Sequence, residues 1–309
     1  MQYHFAPVQG HTDAAYRHFH AKNYGGNLFY YTPFIRLEKD SIRNKDIKDL
    51  TSELNENHTL IPQIIFKDEK ELNKLIQEIK ALGFNRIDLN MGCPFPLQTG
   101  HGRGAATITN EDLGKAVKDA VNDHQDISFS VKMRLGLNDV TEWEKLLPYL
   151  NDTKLHHLAV HPRIARQQYG GEVDMGQFAR ILSESKNPVV YNGDLKITTD
   201  IKEIQDKYPT ITGIMSGRGS LGRPSLMIEA EENNELSKEE RLAKMLKFHD
   251  QLFSYYSSIL CGEAQILSKI QPFWEYAEEE IGRKAWKLIK KASKLSKYQT
   301  ALVAIKNQL

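Results

Sequence analysis

Short apolar runs alternate with longer segments of helical periodicity through the first three quarters of this 309-residue chain. Eight of the runs have the length and composition of buried β-strands. They are Tyr3–Val8, Leu28–Tyr31, Leu60–Phe66, Phe84–Asn90, Ser128–Met133, His156–His161, Pro188–Tyr191 and Ile211–Ser216. Between them, apolar residues recur at helical spacing, as in Glu69–Leu82 and Glu111–Val121. The pattern therefore predicts strands that alternate with helices across residues 3–216.

Residues at the ends of two predicted helices are those that helix caps prefer. Asp68 precedes the first helix and Gly83 follows it, while Asn110 precedes the second. Eight strand–helix units match a barrel of parallel strands, which typically takes ~250 residues. A doubly wound sheet is the competing fold, but no Gly-x-Gly-x-x-Gly turn follows the first strand. We therefore predict an α/β fold, a (β/α)8 TIM barrel.

The pattern changes after Pro224. The segment Glu229–Glu240 is acidic and polar, and Ser237 within it is a plausible N-cap for a helix. From there to Leu309 the periodicity is helical and no strand is predicted. We therefore expect a barrel domain over residues 1–231 and a small C-terminal all-α helical domain over residues 232–309.

The composition is that of a globular protein, and it does not indicate which ligand the protein binds. Hydrophobic residues make up 40% of the chain and charged residues 26%, with a formal net charge of +1, as in globular proteins. The two cysteines, Cys93 and Cys261, have no metal-ligand spacing, so we expect neither a disulfide framework nor a metal site. We find no signal peptide or membrane-spanning run. A monomer in the reducing cytoplasm is the expectation.

Polar and glycine-rich groups follow nearly every predicted strand. In barrels of this type the active site lies at the C-terminal ends of the strands. The groups at those ends include Pro7, Gln63, Asn90, Cys93, Lys132, Arg134, His161, Asn192, Gly193, Asp194, Gly217 and Arg218. We therefore expect a single site on one face of the barrel.

Cys93 lies in the stretch Asp88–Pro96, where a short strand stops abruptly. Pro94 and Pro96 exclude a helix, so the cysteine begins a loop in which we expect an exposed, reactive thiol. A lone loop cysteine is more often structural than catalytic. Its place at a strand end, before the glycine-rich segment Gly100–Ala106, favours catalysis.

The ends of the last two strands predict a phosphate site. Asn192–Asp194 and Ser216–Gly219 can present backbone N–H groups, and Arg218 adds a bidentate charged contact. The alternative is a pair of tight turns that need glycine, with Arg218 in a surface ion pair.

Three further residues have the chemistry to contact a bound ligand. Lys132 interrupts an alternating strand and suits an electron-rich partner such as the N1–C2=O edge of a flavin, although it could instead lie on a solvated strand end. Gln63 can donate and accept at a ring edge, but a satisfied core glutamine is nearly as good an interpretation. His161, at another strand end, is interpreted as a ligand contact.

Charge is segregated along the C-terminal segment. Residues 283–309 contain eight basic side chains and no acidic one, whereas Glu275 and Glu278–Glu280 precede them. A solvated helical face would explain the lysines, but segregation favours binding to a polyanion such as RNA.

Taken together, these motifs resemble the tRNA-dihydrouridine synthase family. The matches are Ala6–Asp13 with Tyr16-Arg17, Gln63, Asp88–Pro94, Gly102–Ala106, Val131–Gly136, His161–Arg163, Gln168-Tyr169, Asn192–Asp194 and Ser216–Gly219. The segment Gly100–Ala106 is most similar to the bacterial C-type subgroup. Pro162 and Ile164 depart from the family's usual His-Gly-Arg-Thr, and its common lysine after Gly-Cys-Pro is absent.

The resemblance implies an FMN enzyme that reduces the C5=C6 bond of particular uridines in tRNA, with NADPH or NADH as reductant. It implies that Cys93 protonates C5 after hydride transfer to C6. The flavin would be held by Pro7, Gln63, Lys132, His161, Asn192, Gly193, Asp194, Gly217 and Arg218, and the uracil contacted by Asn90, Arg134 and Tyr169. Two alternatives remain: a flavin dehydrogenase of free pyrimidines, and an RNA-binding protein without redox chemistry.

Overall fold

Eight parallel strands close into a barrel in the computed structural model, which describes residues 1–309. The strands are β1 (Gln2–Phe5), β2 (Leu28–Tyr31), β3 (in two segments, Thr59–Ile61 and Gln63–Ile64), β4 (Arg86–Met91), β5 (Ser128–Gly136), β6 (His157–Ile164), β7 (Val189–Asn192) and β8 (Gly213–Ser216). Each strand pairs with the next along the chain, and β8 returns to pair with β1. The predicted barrel is therefore confirmed.

The third strand is divided because it contains Pro62. Its first segment pairs with β2 through Ile61, and its second pairs with β4 through Gln63. Pro62 has no N–H to donate, but its carbonyl accepts a hydrogen bond from Asp88 N at 2.9 Å. The break lets β3 join one neighbour and then the other, which closes the barrel. Gln63, immediately after the break, is buried.

Ten helices accompany the barrel and five follow it. The first ten are α1 (Ala14–Tyr24), α2 (Asn44–Leu50), α3 (Glu69–Ala81), α4 (Pro96–Thr99), α5 (Glu111–Asp123), α6 (Trp143–Asn151), α7 (Met175–Glu184), α8 (Thr198–Lys207), α9 (Arg218–Gly222) and α10 (Leu226–Glu232). The tail contains α11 (Lys238–Ile259), α12 (Glu263–Ile270), α13 (Glu278–Ile281), α14 (Arg283–Lys291) and α15 (Leu295–Lys306). Leu37–Glu38 pairs with Ser41–Ile42 in a separate antiparallel ribbon. None of these helices is long and apolar enough to cross a membrane.

The cap residues lie where the sequence predicts them. The Asp68 carboxylate accepts from Glu71 N at 2.8 Å at the start of α3, and Asn110 caps α5 in the same way. Ser237 begins α11 in a reciprocal capping box with Glu240. The predicted domain boundary after residue 231 falls one residue before the end of α10.

The tail and the barrel share one hydrophobic core. A single cluster of 71 buried residues includes barrel side chains and side chains of the tail helices. The ring of Phe248 in α11 packs edge-on against Tyr16 of α1, with ring centroids 5.0 Å apart. Asp13, the N-cap of α1, accepts hydrogen bonds from Tyr256 at 2.9 Å and Lys269 at 2.8 Å. The tail is thus fixed to the first helix of the barrel.

Candidate active site

A cavity of about 940 Å³ lies at the C-terminal ends of the barrel strands. This volume is in the range of cofactor and substrate pockets, ~300–1,000 Å³. Its wall contains all thirteen residues that the sequence singles out, namely Pro7, Gln63, Asn90, Cys93, Lys132, Arg134, His161, Tyr169, Asn192, Gly193, Asp194, Gly217 and Arg218. The fold therefore brings residues from the whole length of the barrel into one place.

Cys93 lies two residues after the end of β4 and lines this cavity, but the expectation of an exposed thiol is wrong. The residue is only 7% exposed, because its loop folds back against the 3₁₀ helix Gly104–Thr109. The backbone N–H of Ala105 donates to Cys93 O at 3.1 Å. Gly104 has φ +61°, and a Cβ there would lie 2.5 Å from the same oxygen, so only glycine fits.

Burial also sets the protonation of the thiol. It raises the pKa of Cys93 above its usual value, against the opposing effect of the Phe95 N–H, Arg134 and Lys132. The thiol is therefore neutral at pH 7 and carries a proton that it can donate into the cavity.

A chain of buried hydrogen bonds lies behind the cysteine. The Asn90 Oδ1 atom accepts from Cys93 N at 2.9 Å and from Gly92 N at 3.2 Å. The Asn90 Nδ2 atom donates to Gln63 Oε1 at 2.7 Å, and Gln63 Nε2 donates to Asp88 Oδ2 at 2.7 Å. Gln63 is thus satisfied at both ends of its amide, as the core interpretation expected, while it also lines the cavity. Each amide keeps one N–H free of these bonds.

Asp88 ends this chain as a fully buried carboxylate. Its second oxygen accepts from Ser130 Oγ at 2.6 Å. Burial raises the pKa of Asp88 to about 6, although hydrogen bonds from Ser130 and Gln63 and the charge of Lys132 act in the opposite direction. At pH 7 the group is therefore still mostly ionised.

Lys132 presents a charge that no protein group neutralises by contact. Its ammonium makes no hydrogen bond and no ion pair with any side chain, although the residue lines the cavity. Burial and the neighbouring Arg134 lower the pKa of Lys132 to about 8, while Asp88 and Cys93 favour the charged form. The interpretation as a solvated strand end is wrong, and the site lacks an electron-rich partner for this ammonium.

On the opposite side of the cavity, two arginines bind one carboxylate. Arg163, only 1% exposed, donates from both terminal nitrogens to the two oxygens of Asp194. Arg218 donates to Asp194 Oδ1 at 3.3 Å. Although partial burial raises the pKa of Asp194, the two arginines bring it below its usual value. The Asp194 side chain is therefore already occupied, so only its backbone is available to a phosphate.

Glycines at the ends of β7 and β8 allow the loops to approach closely. A Cβ on Gly219 would lie 1.7 Å from Leu195 O, and one on Gly193 would lie 2.4 Å from the Tyr191 hydroxyl. Both glycines line the cavity, and a side chain at either position would force these loops apart. Arg218 pairs with Asp194, as the surface-ion-pair interpretation expected, yet it also faces the cavity.

Tyr169 stands at the entrance, 43% exposed, among cationic side chains. The Arg218 guanidinium lies 4.0 Å from its ring centroid and that of Arg134 lies 5.4 Å away. The ring stacks loosely on His161, with centroids 6.5 Å apart. Burial and the surrounding cations hold the pKa of His161 well below its usual value, so the imidazole is neutral.

Sequence reasoning missed several residues in and behind this wall. Asp88 does not line the cavity but accepts a hydrogen bond from Gln63 behind it. It lies two residues before Asn90, on the same face of β4, and this alternation is a signal that was available in the sequence. Arg163 appears in a matched motif but was given no role. The tail residues Tyr276, Glu279 and Glu280 also line the cavity, and no local pattern predicts that. No group of three or more His, Cys, Asp or Glu side chains is arranged to hold a metal ion.

A barrel of eight parallel strands with a cavity at their C-terminal ends defines the class of TIM-barrel proteins, whose active sites lie at this face. A sequence model described as "Dihydrouridine synthase (Dus)" matches residues 4–308. The chain belongs to the dihydrouridine synthase family.

Curated relatives agree with this assignment. The chain is 29% identical to "Probable tRNA-dihydrouridine synthase 2" of Bacillus subtilis (strain 168) over 265 residues, which is 82% of this chain and 78% of the relative. It is 33% identical to a "Probable tRNA-dihydrouridine synthase" of Treponema pallidum (strain Nichols) over 238 residues, 71% of this chain and 67% of the relative.

Solved structures share the fold at low sequence identity. Histamine dehydrogenase from Rhizobium sp. 4-9 superposes with a TM-score of 0.55 at 14% identity, over 75% of this chain and 46% of that one. The old yellow enzyme from Trypanosoma cruzi superposes with a TM-score of 0.53 at 9% identity, over 76% of this chain and 89% of that one. At these identities the likeness concerns the barrel fold alone.

Proposed function

We propose that this protein reduces the C5=C6 bond of specific uridines in tRNA to 5,6-dihydrouridine, with FMN as cofactor and NADPH or NADH as reductant. One observation carries the proposal: the unpaired ammonium of Lys132 and the neutral thiol of Cys93 line the same cavity. The ammonium suits an electron-rich ring edge of a cofactor, and the thiol suits a substrate carbon atom that must gain a proton.

The residues present fit FMN. Gly193, Gly217 and the backbone of Asp194 offer amides to the phosphate, and Arg218 adds charge. Lys132 has no other partner for its ammonium. The remaining contacts we assign to the cofactor are those of Pro7, Gln63, His161 and Asn192, all in the cavity wall. Bound and reduced, FMN would supply the hydride that C6 of the uridine receives.

Cys93 acts as the general acid in this proposal. Its thiol is kept protonated by burial and gives that proton to C5 of the uracil. Asn90, Arg134 and Tyr169 are the residues that we assign to uracil contacts, since each lines the cavity and the last is exposed at its entrance. The uridine must leave its stack to reach them, as bases do in other base-modifying enzymes.

The proposal gives the two parts of the chain different tasks. Residues 1–231 form the catalytic barrel, and residues 232–309 form a tail that binds tRNA. The basic side chains of residues 283–309 support this role, since lysines at helical spacing suit a phosphate backbone. We propose that the protein works as a monomer in the cytoplasm, where its tRNA substrate is found.

The test is to incubate purified protein with FMN, NADPH and unmodified tRNA transcripts, and to measure dihydrouridine by nucleoside mass spectrometry. We expect a yellow protein, oxidation of NADPH that depends on tRNA, and uridine that gains two hydrogen atoms. Turnover of free uracil without RNA would instead favour a pyrimidine dehydrogenase. A protein that binds tRNA but cannot be loaded with FMN would refute the redox function.

A further inference from the structure

A buried hydrogen-bond relay connects Asp88, which does not line the cavity, to the loop that carries Cys93. We propose that Asp88 is a positioning residue: its carboxylate fixes the direction of the relay and so holds the Cys93 thiol in place. The inference rests on the proposed function, in which that thiol donates a proton to the substrate.

The direction of the relay follows from the chemistry of its first member. An ionised carboxylate can only accept hydrogen bonds, so Gln63 must turn its NH₂ group toward Asp88. The carbonyl of Gln63 then faces Asn90, whose Nδ2 atom donates a hydrogen bond to Gln63 Oε1 at 2.7 Å. The Asn90 carbonyl is left for the backbone of the cysteine loop. The charge therefore fixes the orientation of Gln63, and through Gln63 it favours the same orientation of Asn90 that the two loop N–H groups require.

The last step of the relay holds the loop itself. Asn90 Oδ1 accepts from the N–H groups of both Gly92 and Cys93, at 3.2 and 2.9 Å. Gly92 is pressed against β5: a Cβ on it would lie 3.2 Å from the Met133 carbonyl carbon and 3.3 Å from Arg134 N. Since the loop has so little space on that side, the two hydrogen bonds determine where Cys93 begins.

Replacement of the carboxylate by an amide removes the directional constraint. In Asp88→Asn the side chain keeps its size but can donate as well as accept. Gln63 is then free to turn its NH₂ group toward Asn90, and Asn90 must either lose its hydrogen bond to Gln63 or turn its carbonyl away from the two loop N–H groups. We expect the loop to shift by a distance that matters for proton transfer, where a displacement of ~1 Å costs up to ~100-fold in rate.

The experiment separates the two half-reactions in holoenzyme loaded with FMN. For Asp88→Asn we expect the transfer from reduced enzyme to tRNA uridine to slow by about 10- to 100-fold in single turnover. Reduction of the flavin by NADPH does not use the thiol, so it should slow by a clearly smaller factor, one that reflects only the changed surroundings of Gln63 and Lys132. The matched control is Ser130→Ala, which removes the other hydrogen bond to Asp88; because that loss raises the pKa of Asp88, both variants are compared at pH 8, where the carboxylate remains an acceptor only.

A second measurement reads the thiol directly. Iodoacetamide alkylation of Cys93 is followed by peptide mass spectrometry, with the exposed Cys261 as an internal reference. A displaced loop should expose the buried thiol, so the ratio of Cys93 to Cys261 alkylation should rise several-fold in Asp88→Asn and stay near wild type in Ser130→Ala. This readout requires neither tRNA nor turnover.

The outcomes distinguish the inference from the proposed function. If the wild-type protein reduces no uridine, the proposed function fails, and the alkylation ratio alone decides whether Asp88 places the cysteine. Equal losses in both half-reactions would mean that Asp88 merely supports the core, and would overturn the inference. So would an Asp88→Asn protein with wild-type single-turnover rate and alkylation ratio.

Discussion

Two polar clusters are buried inside the barrel, and they behave differently. The histidine cluster consists of His4, Tyr31, His156 and His157: the Tyr31 hydroxyl lies 2.8 Å from His4 Nδ1 and 3.2 Å from His157 Nε2. Burial lowers the pKa of His4 to about 3 and that of His157 well below its usual value, so both stay neutral at pH 7. The second cluster is the relay from Asp88 to Cys93, which contains a charged carboxylate and ends at the cavity.

The comparison shows that burial and polarity do not by themselves mark a functional group. The histidine cluster is stacked on Phe29, 5.0 Å from the His4 ring, and none of its members lines the cavity. Its hydrogen bonds are made within the cluster, and only the Nε2 atom of the neutral His4 ring is left buried without a partner. The cavity side differs because the group without a protein partner, the Lys132 ammonium, can carry a charge and lines a cavity that a ligand can enter.

The largest effect is expected at the end of the relay. Cys93→Ala should lower dihydrouridine formation by about 10²- to 10⁴-fold, the usual contribution of a general acid. FMN binding and flavin reduction by NADPH should remain, because the thiol takes no part in either. The measurement is single-turnover kinetics with pre-reduced enzyme.

Cys261→Ser is the matched control for that variant, since Cys261 is exposed on the tail and should tolerate the change. Full activity in Cys93→Ala would remove the cysteine from the mechanism.

The next largest effect concerns the charged side of the cavity. Arg218→Gln should weaken FMN binding by about 10- to 100-fold, because a charge-assisted hydrogen bond contributes roughly 1.5–3 kcal/mol. Titration of apoprotein with FMN, followed by flavin fluorescence, measures the dissociation constant. The control is Arg180→Gln, which removes an exposed arginine that pairs with Glu144 on the outside of the barrel. The affinity of this variant for FMN should be unchanged. Equal affinities in both variants would contradict the phosphate assignment.

The pH dependence should separate the two clusters. Asp88, which faces Lys132 and Tyr31, has a pKa of about 6, so the relay should lose its direction below that pH. Lys132, which faces Arg134, Asp88 and Cys93, loses its charge above about 8. The single-turnover rate should therefore be highest between about 6 and 8 and fall about tenfold per pH unit outside that window. Asp88→Asn should abolish the acid limb; an unchanged limb would assign it to another group.

Through Asp88, acid should increase the stability of the fold, although it lowers the reaction rate. Since the folded state raises this pKa from 3.8 to about 6, Asp88 contributes stability that is fully present below about 4. That contribution is lost as the pH rises through about 6. Between these values, acidification should stabilise the fold through Asp88 while it slows the reaction. Chemical denaturation of wild type and Asp88→Asn at several pH values measures the difference.

The smallest effect on activity is expected in the histidine cluster. His157→Leu leaves the Tyr31 hydroxyl with only His4, and it removes the partner of His156, so unfolding should become easier by about 1–3 kcal/mol. The rate per folded molecule should stay within about twofold of wild type, because no member of the cluster contacts the cavity. Thermal denaturation and single-turnover kinetics test the two halves of this statement. A large loss of single-turnover rate in His157→Leu would mean that the histidine cluster also contributes to the reaction.

Much of the fold was accessible from sequence because its signals are local. Alternating short apolar runs predict the strands, and cap residues such as Asp68 and Ser237 locate helix ends within a residue. The rule that barrel chemistry lies at strand ends then gathers distant residues, such as Gln63 and Arg218, into one cavity without any knowledge of contacts.

What the sequence could not supply depends on tertiary contacts. Cys93 is buried because Gly104, eleven positions later, lets the backbone return against it. The pairing of Asp194 with Arg163 and Arg218 requires the end of β6, the loop after β7 and the start of α9 to meet. The contribution of Glu280 to the cavity wall depends on how the tail docks, which no periodicity encodes.

The common core of barrel and tail has a practical consequence. Because Phe248 packs on Tyr16, a chimera that exchanges the tail with that of a relative should take α1 along, or the new joint will leave aromatic rings without neighbours. For the same reason, scanning calorimetry should record one endotherm for the whole chain instead of two.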